Sequence, residues 1–553
     1  MHVRGTAVTR MPLPAVLVNW ISRCFVGYGG SVRPRFGLRC AVFLAVLLVG
    51  GCATLRPEVE RVPSEAWPHP EDTTLGRNAA AKLAASHGDS GFLLLDSGMD
   101  ALAARGALAE LAEQTLDLQY YIVRESATTQ LLIYRVLRAA ERGVRVRLLV
   151  DDLSAAGKEL HLDDLAAHPN IQVRVFNPFY VRGSLGLPQI LEFIVSGERL
   201  NRRMHNKLWI ANNAAAVVGG RNLGDEYFGA DPATNFADLD LFAVGPVVQE
   251  LSRSFDAYWN SESTVPIEAF AASRPSEAQV SQLDAALAQS VEQFRGTPYS
   301  QVLRETRFGQ QLRQFEIPLA IAPAEAIYDD PAKPVPQGVE VAPGAIAPHL
   351  RPHVESAARE VILISPYFIP SERSVATLTG LVRRGVRVRL LTNSLASTDV
   401  PAAHAGYARY RDRLVAGGVE IHEMRPLTTR QDAKHRFGSS GASLHAKAIV
   451  VDRHFVVVGS MNLDPRSRRH NTEVALLVDS AEIGAQVAQL FQEGVQPAHA
   501  YQVELADPSS VESGLVWITE EDGKPMRYTS EPASLAKRFS ADFLSIFAPE
   551  DML

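Results

Sequence analysis

The strongest constraint on this chain is that it contains the same unit twice. Glu141-Arg-Gly-Val-Arg-Val-Arg-Leu-Leu-Val150 recurs as Arg383-Arg-Gly-Val-Arg-Val-Arg-Leu-Leu-Thr392, which separates Gly143 from Gly385 by 242 residues. A second pair of strings, His205-Asn-Lys207 and His445-Ala-Lys447, lies 240 residues apart. Two unrelated strings repeating at nearly one offset mark the duplication of a whole domain. At 553 residues the chain is in any case too long for one ordinary core.

Each copy reads as α/β. Gln130–Arg142 has helical apolar spacing, Gly143 ends it, and Val144–Val150 is rich in β-branched residues. Leu116–Ile122 and Val361–Ile364 are apolar runs short enough for buried strands. The two His-x-Lys strings run into Leu208–Ala211 and Ala448–Val451. Ala215–Val218 and Phe455–Val458 then lead to Gly219-Gly220 and Gly459-Ser460. The expected architecture is two pseudo-symmetric α/β sandwich domains, 91–265 and 345–500, with the active site between them. Residues 266–344 are expected to be a Pro/Ala-rich connector, 53–90 a tether and 501–553 a C-terminal extension.

The paired strings carry the chemistry. Residues i and i+2 of a strand share a face, so His205 with Lys207, and His445 with Lys447, project together. Asn212 and Asp452 follow each Lys after four residues. Gly219, Gly220, Gly459 and Ser460 are expected to let the backbone approach a phosphate closely, and Asn222 and Asn462 to supply neutral donors. A phosphodiester needs a nucleophile, an acid for the leaving oxygen and donors for the phosphoryl oxygens. One imidazole can attack while the other protonates, and the roles reverse with the incoming alcohol. Two lysines supply the positive charge, and each imidazole needs a carboxylate on its other nitrogen. Asp238, with Asp240 as its competitor, and Glu473 are the candidates.

The H-x-K-x4-D pattern resembles that of the phospholipase D superfamily. Longer strings resemble its bacterial cardiolipin synthases: Leu116-Asp-Leu-Gln-Tyr-Tyr-Ile122, Phe176-Asn-Pro-Phe179, Leu200-Asn-Arg-Arg-Met-His-Asn-Lys207, Gly219-Gly-Arg-Asn-Leu-Gly-Asp-Glu-Tyr-Phe228, Asp238-Leu-Asp-Leu, Asn462-Leu-Asp-Pro-Arg-Ser467 and Asn471-Thr-Glu-Val474. The resemblance implies two phospholipase D-like domains, a covalent phosphatidyl-histidine and transfer to phosphatidylglycerol or a glycerol-like alcohol. It implies neither metal nor cofactor. Likeness to the superfamily makes His205 the nucleophile and His445 the general acid/base. The catalytic set expected is therefore His205, Lys207, Asn222, Asp238, His445, Lys447, Asp452, Asn462 and Glu473. Asn212 stands where the family has Asp, at a position read as bracing the site.

The ends of the chain bear on location. Arg33, Arg35 and Arg39 precede the apolar run Cys40–Val49, and Val49-Gly-Gly-Cys52 resembles a lipobox. Residues 1–52 are thus expected to be a lipoprotein signal, with Cys52 lipidated; an uncleaved anchor is the alternative. Ala53 after the cysteine points to the outer membrane and the periplasmic side of a bacterial envelope. No cysteine follows Cys52, which excludes disulfides and Cys-ligated metal from the catalytic body. Residues 1–51 hold six arginines and no acid, so the formal charge of −7 becomes −13 without them. An acidic body is a poor sequence-independent binder of nucleic acid. Phospholipids and the membrane surface are the expected partners, with no nucleic acid and no protein partner. Leu535, Phe539, Phe543, Ile546 and Phe547 would form one apolar helical face capped by Ser534, suited to a membrane surface or to the second domain. Three functions stand at this point: phosphatidyl transfer, hydrolysis as a phospholipase D, and a non-catalytic lipid-binding lipoprotein, the last prompted by Asn212.

Overall fold

The computed structural model describes residues 59–152, 162–179, 199–231, 233–270, 277–333, 346–426, 443–539 and 541. The signal segment with Cys52 lies outside them. No helix among the described residues is long and apolar enough to cross a membrane.

The first copy contains β1 (Ser90–Leu95), β2 (Thr115–Tyr120), β3 (Arg145–Asp151), β4 (Ile171–Phe176), β5 (Leu208–Ala211), β6 (Ala215–Gly219), β7 (Phe236–Ala237), β8 (Asp240–Val244) and β9 (Thr264–Pro266). Between the copies lie β10 (Ala320–Ala322) and β11 (Ala324–Tyr328). The second copy contains β12 (Glu360–Ile364), β13 (Arg387–Asn393), β14 (Glu420–Met424), β15 (Ser443–Leu444), β16 (Ala448–Val451), β17 (Phe455–Gly459) and β18 (Val474–Asp479), extended by β19 (Ala500–Asp507), β20 (Ser510–Glu521) and β21 (Lys524–Tyr528). The sheet orders are β10-β1-β8-β6-β5-β2-β3-β4-β9 and β11-β18-β17-β16-β12-β13-β14-β19-β20-β21. The six-strand run from β8 to β4 matches that from β18 to β14 strand for strand, so the duplication read in the sequence is a duplication of topology.

Strand alternation explains the layers. In β5, Trp209 and Ala211 join the core on the helix side of the first sheet, whereas Leu208 and Ile210 join the core between the sheets. In β16, Ala448 and Val450 enter that shared core, while Ile449 and Val451 face the second copy's own helices. With apolar side chains on both faces, these strands are buried twice over, which is why they read as unbroken apolar runs. The result is two sheets face to face, with the helices Pro246–Trp259 and Ala481–Gly494 packed into the core they share and other helices on the outer faces. The helices of eight or more residues among the described residues are α1 (Thr74–Leu83), α2 (Gly98–Leu111), α3 (Ala127–Glu141), α4 (Pro246–Trp259), α5 (Glu277–Arg295), α6 (Pro298–Glu305), α7 (Arg307–Gln314), α8 (Ile346–Glu355), α9 (Glu372–Arg383), α10 (Pro401–Ala416) and α11 (Ala481–Gly494).

Three boundaries differ from the expectation. The connector is folded over most of its described length: Leu287, Val291, Phe294 and Leu312 pack into the first core. β10 and β11 then step from the edge of one sheet to the edge of the other across Pro323 alone. The tether is docked from residue 61 onward: Arg147 and Arg174 donate to the carbonyls of Ser64 and Val62, and Ala66 N–H donates to Asp256 at 2.8 Å. The C-terminal extension contributes β19–β21 to the second sheet. Its final helix is described only at 535–539 and 541, where Leu535 and Phe539 are exposed. Lys537, beside that face, donates to the carbonyl of Ala396 at 2.6 Å. Phe543, Ile546 and Phe547 lie outside the described residues.

Candidate active site

Two short crossings between the copies hang the histidines. β7 and β15 pair in parallel, with Ala237 beside Leu444. A matching parallel bridge joins Met204 to Thr472. His445 N–H donates to the Ala237 carbonyl, and His205 N–H to the Thr472 carbonyl, both at 2.8 Å. Each acceptor immediately precedes a carboxylate, Asp238 or Glu473. The opposite copy therefore fixes each histidine backbone in the register that delivers a carboxylate to its ring.

Each motif is also anchored within its own copy. Asp151, ending β3, accepts the Met204 N–H at 2.9 Å and the Arg203 guanidinium at 3.2 Å. Asn393, ending β13, accepts the Leu444 N–H and donates to its carbonyl, both at 2.9 Å. These two anchors stand 242 residues apart, at the offset of the long repeat.

The imidazoles are then braced crosswise. His205 Nδ1 lies 2.9 Å from Glu473 Oε2, and His445 Nδ1 lies 2.5 Å from Asp238 Oδ2. Both histidines are buried. With Nδ1 engaged, Nε2 of each ring is left for chemistry. Lys207 Nζ donates to the His205 carbonyl at 2.6 Å, and Lys447 Nζ to the His445 carbonyl. Asp240 loses the competition with Asp238: it is buried against Arg105 at 2.9 Å and Arg221 at 3.4 Å. Its partner in the β6–β8 register is Gly219, and the corresponding partner of Gly459 is Ala475, so Asp240 has no counterpart in the second copy.

The two dyads differ electrostatically. Burial, then the neighbouring lysines, hold the His205 imidazole well below its usual value and so neutral. Burial pushes its carboxylate, Glu473, up to about 7, against the pull of Lys207 and two serine hydroxyls. Burial would raise Asp238 too, but His445 and Lys447 outweigh it and hold that carboxyl below its usual range. Burial also lowers His445, opposed by Asp238, and brings Lys447 down to about 8. His445 thus faces a carboxylate held ionised, whereas the carboxylate facing His205 is pushed toward its neutral form; both imidazoles are held below their usual value.

Sequence reasoning missed the aromatic walls. Tyr121 meets His205 edge to face, with ring centroids 4.9 Å apart. Tyr227 and Phe236 pack on His445 at 5.3 and 5.1 Å. Their strings stood in the sequence, but only the fold shows which ring meets which imidazole. Ser460 and Ser467 were likewise not paired with Glu473, to which their hydroxyls donate at 2.5 and 2.7 Å.

Several expected site residues sit elsewhere. Asp452 is not in the pocket: its carboxylate accepts the N–H groups of Ala358, Arg359 and Glu360, at 2.9, 2.7 and 2.8 Å, and so ties the loop that opens β12. Asn212 does the same for β2 with one oxygen, accepting from Glu113, Gln114 and Thr115. Both residues have positive φ, 52° and 55°, which a short polar side chain tolerates. The glycine pairs also serve a different end. A Cβ on Gly220 would collide with the Asp238 carboxylate, and one on Gly219 or Gly459 with the neighbouring strand's backbone. The space they open is for carboxylate and strand, not phosphate. Asn222 is engaged, accepting from Ile122 N–H at 3.2 Å and donating to the Tyr227 hydroxyl at 3.0 Å. Asn462 Oδ1, though buried, has no partner among the described residues.

A family model described as cardiolipin synthase, PLD-like domain matches residues 107–259 and 350–494. Cardiolipin synthase C of Escherichia coli (strain K12) is 37% identical over 482 residues, covering 86% of this chain and 99% of that protein. Cardiolipin synthase A of Pseudomonas entomophila is 26% identical over 414 residues, covering 74% of this chain and 70% of that one. Among solved structures, phosphatidylserine synthase of Haemophilus influenzae Rd KW20 superposes with a TM-score of 0.52 at 12% identity, covering 86% of this chain and 100% of that one, a likeness of fold.

Proposed function

This chain belongs to the cardiolipin synthase family with phospholipase D-like domains, and from that premise we propose that it makes cardiolipin by transferring a phosphatidyl group to phosphatidylglycerol. The observation that carries the reading is the crossed pair of dyads, His205 with Glu473 and His445 with Asp238.

His205 Nε2 attacks the donor phosphorus. A P–N bond forms while the P–O bond to the departing alcohol breaks, and His445 gives its Nε2 proton to that oxygen. The acceptor hydroxyl then loses its proton to His445 and attacks phosphorus, and the P–N bond breaks. Lys207 and Lys447 offset charge on the phosphoryl oxygens. The non-catalytic reading loses its support, because Asn212 braces backbone away from the pocket with its oxygen fully used. The lipobox-like Val49-Gly-Gly-Cys52 supports attachment of the enzyme to the periplasmic side of the envelope, the outer membrane in preference, facing its lipid substrates.

The test is incubation of the purified protein with phosphatidylglycerol and phosphatidylethanolamine vesicles, with products identified by mass spectrometry. Cardiolipin is the expected product. Phosphatidic acid alone would replace the transferase by a hydrolytic phospholipase D, and no turnover by the wild-type chain would defeat both.

A further inference from the structure

The copies differ where the outer face of the second sheet meets α8 and α9. A cavity of about 150 Å3 lies there, lined by Leu350, Leu363, Phe368, Leu378, Ile449 and Met461, with Arg351 and Arg373 also on its wall. Leu350, Ile449, Met461 and Leu463 also line a smaller space whose wall includes Lys447 and Gly459. The two spaces share that wall, and the smaller one, of about 10 Å3, touches Lys447 of the catalytic pocket.

The first copy carries a larger, engaged side chain at one matching position. The residue 240 before Met461 is Arg221, fully buried, whose guanidinium donates to the carbonyls of Leu95, Asp96, Tyr227 and Asp238. The second copy substitutes a flexible thioether for that arginine. It leaves Asn462, which also borders the cavity, with an unpartnered carboxamide oxygen.

We propose that this cavity binds an acyl chain of the acceptor phospholipid, whose head-group hydroxyl then lies at His445. The inference rests on the transferase reading above. An apolar space of about this volume takes up a benzene-sized molecule, and so holds roughly six methylenes of a longer chain. The smaller space that shares its wall touches Lys447, two residues from the imidazole that handles the alcohol, and not the His205 side where the donor phosphorus is attacked. Asn462 Oδ1 is placed to accept a hydroxyl hydrogen. A hydrolase, resolving the same intermediate with water, has no use for such a site.

The experiment fills the cavity from either wall with Thr377→Trp on α9 or Ala347→Trp on α8 and follows a labelled phosphatidylglycerol donor. Two products are measured: cardiolipin, whose acceptor carries chains, and the phosphatidylglycerol formed with added unlabelled glycerol, whose acceptor has none. The ratio of cardiolipin to glycerol product should fall at least about tenfold in a variant that melts like wild type, because burial of a few methylenes is lost. An unchanged ratio in folded variants, while the wild type makes cardiolipin, overturns the acyl site and leaves the transferase reading intact. A wild type that makes neither product refutes the transferase reading, and the acyl site with it. Should one variant misfold, the other decides.

Discussion

Glu473→Gln sets activity against stability in one substitution. Glu473 is fully buried, faces His205 at 2.9 Å and receives the Ser460 and Ser467 hydroxyls. Burial pushes its carboxyl from an ordinary 4.5 up to about 7. A folded value above the unfolded one means that the fold favours the protonated acid. That stability is fully present below the ordinary carboxylate value and is lost as pH rises through about 7. The difference corresponds to about 3 kcal/mol, from 1.36 kcal/mol for each pH unit. Glutamine keeps the shape and never ionises, so the variant should not lose this stability as pH rises. Between pH 5 and pH 8 the wild-type melting temperature should fall about 3–6 °C more than that of the variant, at roughly 1–2 °C per kcal/mol for a chain of this size. The same variant should lose about 10²–10⁴-fold in transfer, since the amide does not supply the charge that holds the His205 Nδ1–H and supports a positive phosphatidyl-imidazole. Differential scanning calorimetry across that pH range, with cardiolipin formation measured beside it, checks both halves. Equal pH dependence of melting in the two proteins, or a variant retaining more than about a tenth of the activity, would refute the reasoning.

Other outcomes follow from the same geometry. His205→Ala should abolish covalent labelling by phosphatidylglycerol, whereas His445→Ala should accumulate label; equal labelling of both would undo the division of roles. The pH profile of kcat/KM should be bell-shaped, rising as Glu473 ionises near about 7 and falling as Lys447 loses its proton near about 8; a flat profile from pH 6 to 9 contradicts it. Asn212→Asp should leave the reaction type unchanged, as Asp452 holds the equivalent loop with a carboxylate, while Asn212→Ala should cost about 2 kcal/mol by urea unfolding, through the orphaned N–H groups. Cys52→Ser should block incorporation of radiolabelled fatty acid and release protein from membranes; absence of label from the wild type would replace the lipobox with an uncleaved anchor.

Much of this was legible in the sequence because duplication left two copies to compare. The strands Leu208–Ala211 and Ala448–Val451 end where their apolar runs end, and His205, Lys207, His445, Lys447, Asp238 and Glu473 converge. The order along the chain does not say which carboxylate serves which ring: Glu473 lies 268 residues from its histidine and Asp238 lies 207 from its own. Only the register of β7 on β15 and the Met204–Thr472 bridge decide it. The spacing of four to Asp452 read as catalytic because a string records proximity in sequence, whereas the hairpin between β16 and β17 carries that residue to the far end of the strand. The connector read as a linker because its Pro and Ala content hid helices, the 19-residue α5 among them, whose apolar residues match only once the first copy's core is there to cover.

The crossed bracing also limits how the two copies can diverge. A duplicated domain normally frees one copy to decay while the other keeps the work. Here each copy owns a histidine that it does not orient and a carboxylate whose ring belongs to the other. Loss of Asp238 disarms the second copy's imidazole, and loss of Glu473 disarms the first's. Neither half can become a passenger. Within the exchange the change keeps the charge, Asp238 against Glu473, and freer differences fall around it: Asn212 against Asp452 in the hairpins, Gly220 against Ser460 beside the carboxylates, and Arg221 against Met461 where one copy closed a space that the other kept.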